Sequence, residues 1–101
     1  MTTNYKLSIC IPTYNRAAYI GETLASIISQ SNDDIEIVIV DGASTDNTAD
    51  VVNEIQGRFE NIHYHRAKQN NGIDADLAKS VALAQGEYCW LMSSDDILAA
   101  G

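Results

Sequence analysis

Near its carboxyl end the chain carries Ser93-Ser94-Asp95-Asp96, directly after the apolar run Tyr88-Cys89-Trp90-Leu91-Met92. Adjacent carboxylates at the end of a buried strand repel one another at neutral pH. A divalent cation shared with a phosphate group relieves that repulsion, and such hard cations take oxygen ligands. Two other polar clusters, Pro12-Thr13-Tyr14-Asn15 and Asp41-Gly42-Ala43-Ser44-Thr45-Asp46, also follow apolar β-type runs. Three strand ends of this kind on one small chain point to a site for a nucleotide and a metal ion.

Such clusters work together only if the frame brings them to one edge. Lys6 to Ile11 reads as a strand whose pairing Pro12 should end. Asn15 is placed to cap a helix starting near Arg16, with Ile20, Leu24, Ile27 and Ile28 on one face. Ile35 to Val40, nearly all β-branched, suits a strand buried on both faces of a parallel sheet. A second helix is expected over about Asp46–Gln56, with the stripe Val51, Val52, Ile55 and Phe59, a cap from Ser44, Thr45 or Asp46, and Gly57 closing it. Asn61 to Arg66 reads as a third strand. The Asn70-Asn71-Gly72 turn leads to a third helix around Asp74–Gln85, with Leu77, Val81 and Ala84 expected inward and Gly86 as its stop. Glu87 to Met92 is the fourth strand, and Ile97 to Gly101 reads as the start of another helix.

The order β-α-β-α-β-α-β predicts an α/β fold, an open parallel sheet with right-handed crossovers. In such sheets ligands gather beyond the carboxyl ends of the strands, where all three polar clusters fall. With 101 residues and no visible linker or repeat, we expect a single domain over 1–101. A hydrophobic content of 46% against 20% charged residues places the chain among globular proteins rather than disordered ones.

Six basic against fourteen acidic residues give a formal charge of −8, which argues against nucleic acid as a partner. It leaves room for one nucleotide whose phosphates a metal ion screens. No apolar run is long enough to span a bilayer and Met1 to Lys6 lacks a signal-peptide pattern, so we expect a cytoplasmic location, with membrane association of a larger protein left open. Cys10 and Cys89, each inside an apolar run, read as thiols of a reducing compartment. His63 and His65 share one face of a strand without nearby acidic or cysteine ligands, and read as ordinary strand residues. Neither a Gly-Lys-Ser/Thr phosphate loop nor a Gly-x-Gly-x-x-Gly turn is present.

Four segments together resemble a known family: Leu7 to Arg16 (Leu-Ser-Ile-Cys-Ile-Pro-Thr-Tyr-Asn-Arg), Val38 to Thr48, Gly86-Glu87-Tyr88, and Ser93-Ser94-Asp95-Asp96. In this order they look like family 2 glycosyltransferases, sugar-nucleotide-dependent enzymes of the GT-A fold. The resemblance runs over essentially the whole chain and implies a three-layer α/β/α, Rossmann-like sheet of GT-A type, cut short. It implies that Pro12, Thr13, Tyr14 and Arg16 line the nucleotide pocket, with Tyr14 beside the base. Asp41 would accept from a base N–H or a sugar hydroxyl. Ser94 and Asp95 would also meet the nucleotide, and Asp95 and Asp96 would hold Mn²⁺ or Mg²⁺ against the donor diphosphate. It further implies sugar transfer to an acceptor hydroxyl, with inversion at the anomeric carbon.

The chain departs from the family pattern at three places. Gly42 stands where a second Asp is frequent, Ser93 replaces the first Asp of the metal motif, and Asp76-Leu77-Ala78 replaces an Ala-Arg-Asn segment. The resemblance places the catalytic base in a later acidic motif, so none is assigned in 1–101; Glu54 and Glu87 sit in structural contexts. We therefore expect the donor-binding, N-terminal part of a longer enzyme, able to fold and bind nucleotide but inactive in transfer on its own. Its partners would be a nucleotide-sugar donor, a glycan or lipid-linked acceptor reached through the absent region, and another copy of itself through apolar surface left bare. If the fourth strand lies beside the first, as the resemblance implies, Cys10 and Cys89 are neighbours. The competing reading is a non-catalytic nucleotide-binding or interaction module, in which Asp41 to Asp46 and Asp95-Asp96 are only turns and helix caps.

Overall fold

A computed structural model describes residues 6–29, 34–59, 61–70 and 72–91, the side chain of Ile73 excepted. The elements run β1 (Leu7–Thr13), α1 (Ala17–Ile28), β2 (Ile35–Asp41), α2 (Thr48–Gln56), β3 (Ile62–Arg66), α3 (Ile73–Leu83) and β4 (Tyr88–Leu91). All pairings are parallel and the sheet order is β3-β2-β1-β4. The chain steps outward from β1 to β3, then returns across the sheet to the far side of β1. Right-handed crossovers place helices on opposite faces when the direction of travel reverses. Accordingly α1 and α2 pack together on one face, whereas α3 lies against β1 and β2 on the other.

The two faces differ in chemistry. On the α1/α2 face, Ile9 and Ile11 of β1, Ile37 and Ile39 of β2 and Ile62 of β3 meet Ile20, Leu24, Ile27 and Val52. Each such side chain contributes about 1.5–3 kcal/mol of transfer free energy before entropy is set against it. The expected helix stripes hold here, with Val51, Ile55, Phe59 and Ile28 packed around that cluster.

The α3 face is polar. Ser8 and Glu36 are fully buried side by side, in register across β1 and β2. Ser8 Oγ donates to Glu36 Oε2 at 2.5 Å and accepts from Gly86 N–H at 2.7 Å, while Gln85 N–H also donates to Glu36 Oε2 at 2.5 Å. His63 Nε2 lies 3.4 Å from Glu36 Oε1. A buried carboxyl is tolerated when such donors surround it. Here it ties the turn before β4 to the centre of the sheet.

Several expectations need correction. The inward residues of α3 are Asp76 and Ser80, not Leu77, Val81 and Ala84; Val81 is 41% exposed. The helix presents polar residues because the strand surface beneath it is polar, and Cys10 Sγ–H donates to Ser80 C=O at 3.6 Å. Nor does α3 reach Gly86: it ends at Leu83, and Ala84 turns extended. Pro12 does not end β1. It pairs in register with Val40, and Thr13 with Asp41. Thr13 C=O accepts from Gly42 N–H, toward β2, so the adjacent Pro12 nitrogen faces the β4 side, where the described pairing stops at Cys10. The missing N–H therefore costs no ladder bond among the described residues.

Strand β4 is exposed along its length, with Tyr88, Trp90 and Leu91 at 64%, 43% and 50%. Cys89 pairs with Ser8 and so shares a face with Cys10. Burial, and then repulsion from the neighbouring Cys89, push the Cys10 thiol up to about 11, which keeps it protonated and inert at neutral pH. No helix among the described residues is long and apolar enough to cross a membrane.

Candidate functional site

The carboxyl ends of β1 and β2 are joined by an exchange of caps between the loops that follow them. Asn15, at φ 51°, accepts through Oδ1 from Thr45 N–H at 2.7 Å and Asp46 N–H at 3.3 Å. Asp46 returns the bond: its Oδ2 accepts from Ala17 N–H, the first residue of α1, at 3.2 Å. Thr48 Oγ accepts from Arg16 N–H at 3.2 Å. The cap expected from Asn15 on its own helix is thus supplied by Asp46 and Thr48 from the other loop. Asp46 Oδ1 also accepts from Thr48 N–H at 3.0 Å, so one carboxylate serves the starts of two helices. Desolvation opposes its ionisation, yet the Thr48 hydroxyl and the N–H groups of Thr48 and Ala17 hold the Asp46 carboxyl below its ordinary range.

Asp41 ends β2, fully buried. Its Oδ1 accepts from Ser44 N–H at 2.8 Å and from Ser44 Oγ at 2.6 Å, and its Oδ2 accepts from the Tyr64 hydroxyl. Ser44 Oγ in turn accepts from Asn15 N–H at 2.8 Å. A relay therefore runs from β3 through β2 to the end of β1. Ala43, at φ 66°, adopts the left-handed conformation that a non-glycine residue enters at a cost of about 1 kcal/mol or more. Burial, and then the bond and charge of Asp41, raise the Tyr64 hydroxyl above its ordinary value, so Tyr64 acts as a donor.

A pocket of about 800 Å³ opens between the ends of β2 and β3 and the start of α3. Tyr64, His65, Arg66, Lys68, Asp76 and Lys79 are among its lining residues. Arg66, Lys68 and Lys79 are three of the six basic residues in a chain of charge −8, so cationic charge concentrates here. Arg66 Nη2 is held by Ser44 C=O at 2.7 Å, which ties the pocket wall to the Asp41 relay.

The residues expected to bind nucleotide divide as follows. Pro12 and Thr13 are buried at the end of β1, and Thr13 Oγ1 finds no hydrogen-bond partner among the described residues. Tyr14 and Arg16 are exposed in the following loop. Asp41 does not line the pocket but accepts from the hydroxyl of Tyr64, which does. Ser94, Asp95 and Asp96, with Ser93, lie outside the described residues. Strand β4 runs parallel to β1, so the carboxyl ends of the two strands lie at the same edge of the sheet. Among the described residues no group of three or more His, Cys, Asp or Glu is placed to hold a metal ion. Glu54 pairs with Arg58 on the exposed face of α2, away from the pocket.

The pocket itself escaped the sequence reading, as did Tyr64, Lys68, Asp76 and Lys79. A signal was present in the crowding of half the basic residues between positions 66 and 79. The departure at Gly42 also gains an explanation: a Cβ there would lie 2.5 Å from Asp76 Oδ2.

This architecture is the parallel α/β core of the GT-A fold. Residues 8–101 match the family described as glycosyl transferase family 2, and the chain belongs to that family. Abequosyltransferase RfbV of Salmonella typhimurium is 47% identical over 96 residues, an alignment covering 92% of this chain and 29% of that protein. The mannosyltransferase PcManGT from Pyrobaculum calidifontis, solved in complex with GDP-Man and Mn²⁺, superposes with a TM-score of 0.87 at 27% identity, covering 98% of this chain and 30% of its own. Staphylococcus aureus TarS 1-349 in complex with UDP-GlcNAc gives a TM-score of 0.83 at 30% identity, over 91% of this chain and 27% of TarS. The chain thus spans less than a third of each of these three proteins, and the parallel GT-A sheet expected from the sequence is the fold they share with it.

Proposed function

We propose that this chain is the donor-binding part of an inverting glycosyltransferase that moves a sugar from a nucleotide-sugar to an acceptor hydroxyl. The observation that carries the reading is the pocket at the carboxyl edge, where Arg66, Lys68 and Lys79 gather in an otherwise acidic chain. An anionic ligand is drawn to such a concentration of charge. The exposed ring of Tyr14 supplies a flat face for a base. Asp41 retains one lone pair on Oδ2 for a base N–H or ribose hydroxyl, and Tyr64 holds it in place. Solved relatives carrying UDP-GlcNAc or GDP-Man support a nucleotide-sugar as the ligand.

Asp95 and Asp96 are the residues that would hold Mn²⁺ or Mg²⁺, since carboxylate oxygens suit both ions. Bound there, the ion would stabilise charge developing on the departing diphosphate. The base that takes the acceptor proton, and the surface for a glycan or lipid-linked acceptor, belong to chain beyond these residues. We place the protein in the cytoplasm, where nucleotide-sugars would reach it.

Calorimetric titration of UDP, CDP, GDP and dTDP, with and without Mn²⁺, tests the assignment on the chain and on an Asp95→Asn/Asp96→Asn variant. Metal-dependent binding of one nucleotide, lost in the variant, is the expected result. A folded chain that binds none of the four would reject it in favour of a structural or interaction module.

A further inference from the structure

The start of α3 carries a carboxyl that the relay around Asp41 does not use. Asp76 is 4% exposed, yet it lines the pocket. Its backbone N–H is spent on Gly72 C=O, and among the described residues no hydrogen bond reaches its carboxyl. Because Asp76 lines the pocket, a donor from outside the fold can reach that carboxyl.

Position 42 defines where this carboxyl lies. A Cβ on Gly42 would sit 2.5 Å from Asp76 Oδ2 and 3.5 Å from Asn70 Oδ1. The absence of a side chain on Gly42 leaves the space that Asp76 fills, so α3 delivers a carboxyl directly beside the end of β2. Asp41 is saturated except for one lone pair, as described above. Asp76 is the acceptor with open capacity.

We propose that Asp76 is a specificity-determining residue of this pocket: its carboxyl, set beside Asp41 in the space left by Gly42, accepts a hydrogen bond from the nucleoside part of the donor. The ligand chemistry is a neutral N–H or O–H group, since two adjacent carboxyls repel a phosphate. Lys68 and Lys79, which also line the pocket, meet the anionic part instead. Burial, and then the charge of Asp41, raise the Asp76 carboxyl above its ordinary range.

The inference rests on the donor-binding reading above, and its test separates the two. The nucleoside diphosphate that binds the wild-type chain is titrated against Asp76→Ala and Gly42→Ala, with thermal unfolding measured on each. Asp76→Ala is expected to weaken binding about 10- to 100-fold, the range for a lost bond to a charged acceptor, while its unfolding midpoint stays level or rises. A merely structural residue would lower both. Gly42→Ala, whose new methyl displaces only the flexible end of Asp76, is expected to lose affinity with its fold intact. A 2′-deoxy form of the ligand then assigns the donor group: Asp76 dependence that vanishes marks the ribose, and dependence that persists marks the base. A wild-type chain that binds no nucleotide would sink the donor-binding reading and this inference together. Nucleotide binding by both folded variants at wild-type strength overturns the inference alone.

Discussion

Gly86→Ala is the substitution whose cost the structure defines most sharply. Gly86 does not need a positive φ, so backbone conformation is no obstacle to alanine. The obstacle is space. A Cβ at 86 would lie 2.6 Å from Ser8 Oγ, 2.7 Å from Ser8 N and 2.8 Å from the Leu7 carbonyl carbon. Two of these atoms are backbone of β1, which is paired on both sides and cannot recede. The turn before β4 must therefore lift away, breaking Gly86 N–H to Ser8 and Gln85 N–H to Glu36. Each buried group left unsatisfied costs about 1–3 kcal/mol, so the pair amounts to about 2–6 kcal/mol. For a domain of this size 1 kcal/mol moves the melting point by about 4–8 °C, which makes the expected drop at least about 8 °C. Gly21→Ala is the control, because its Cβ meets no backbone, only the side chains of Val51 at 3.2 Å and Ile55 at 4.0 Å, and α1 gains helix propensity. Thermal and urea unfolding followed by circular dichroism read both variants. A Gly86→Ala chain melting within 2 °C of wild type, a margin of about half a kcal/mol or less, would refute the close-approach reasoning.

Asp46→Ala removes the carboxylate that caps α1 and contacts the start of α2, and should cost about 1–2 kcal/mol in urea unfolding at neutral pH. Because the folded carboxyl is held below its ordinary value, its contribution is present above the unfolded pKa and is lost as pH falls through the folded one. The gap between wild type and variant should therefore close in acid; a gap that widens there contradicts the cap. On β4, Tyr88→Lys together with Trp90→Lys should lower self-association in sedimentation velocity, since both are exposed on one face of that strand. Equal association by wild type and variant would place the contact elsewhere.

The elements were legible because each is written in local pattern. Ile35 to Val40 could be nothing but a buried strand, and Ile20, Leu24 and Ile27 mark the buried face of α1 without help from distant residues. What was hidden depends on partners far along the chain. Asn15 looked like a cap for its own helix, and only the approach of Thr45 and Asp46 turns its side chain to the other loop. Pro12 looked like the end of a strand because the side its nitrogen would face is set by the sheet order. The polar face of α3 was missed for the same reason: Asp76 and Ser80 bury themselves against strand residues that offer Ser8, Cys10 and Glu36 rather than an apolar floor. In the candidate site, the clusters that end β1 and β2 pointed to the edge of the sheet at which the pocket opens. The cations that line the pocket come from a strand end, a loop and a helix, and no single motif unites them.

The contrast between the two faces carries a consequence for motion. Helix α1 is held by Ile20, Leu24 and Ile27, all fully buried in the apolar cluster. Helix α3 buries Asp76 and Ser80, and leaves Val81 exposed. Apolar burial at about 25 cal/mol per Å² is the main term resisting local opening, so the helix with the polar face is the one that opens first. That helix also carries Asp76 and Lys79 into the pocket. We therefore expect α3 amides to exchange with deuterium well before those of α1, and a bound nucleotide to slow α3 while leaving α1 unchanged. A ligand bridging α3 to the end of β3 stabilises the helix by about 2.7 kcal/mol at a hundredfold excess over its Kd, if the opened form does not bind. That is about a hundredfold slowing of exchange through this opening. Uniform exchange across α1 and α3, with protection spread evenly when nucleotide is added, would show that the helix bearing the pocket is no looser than the core.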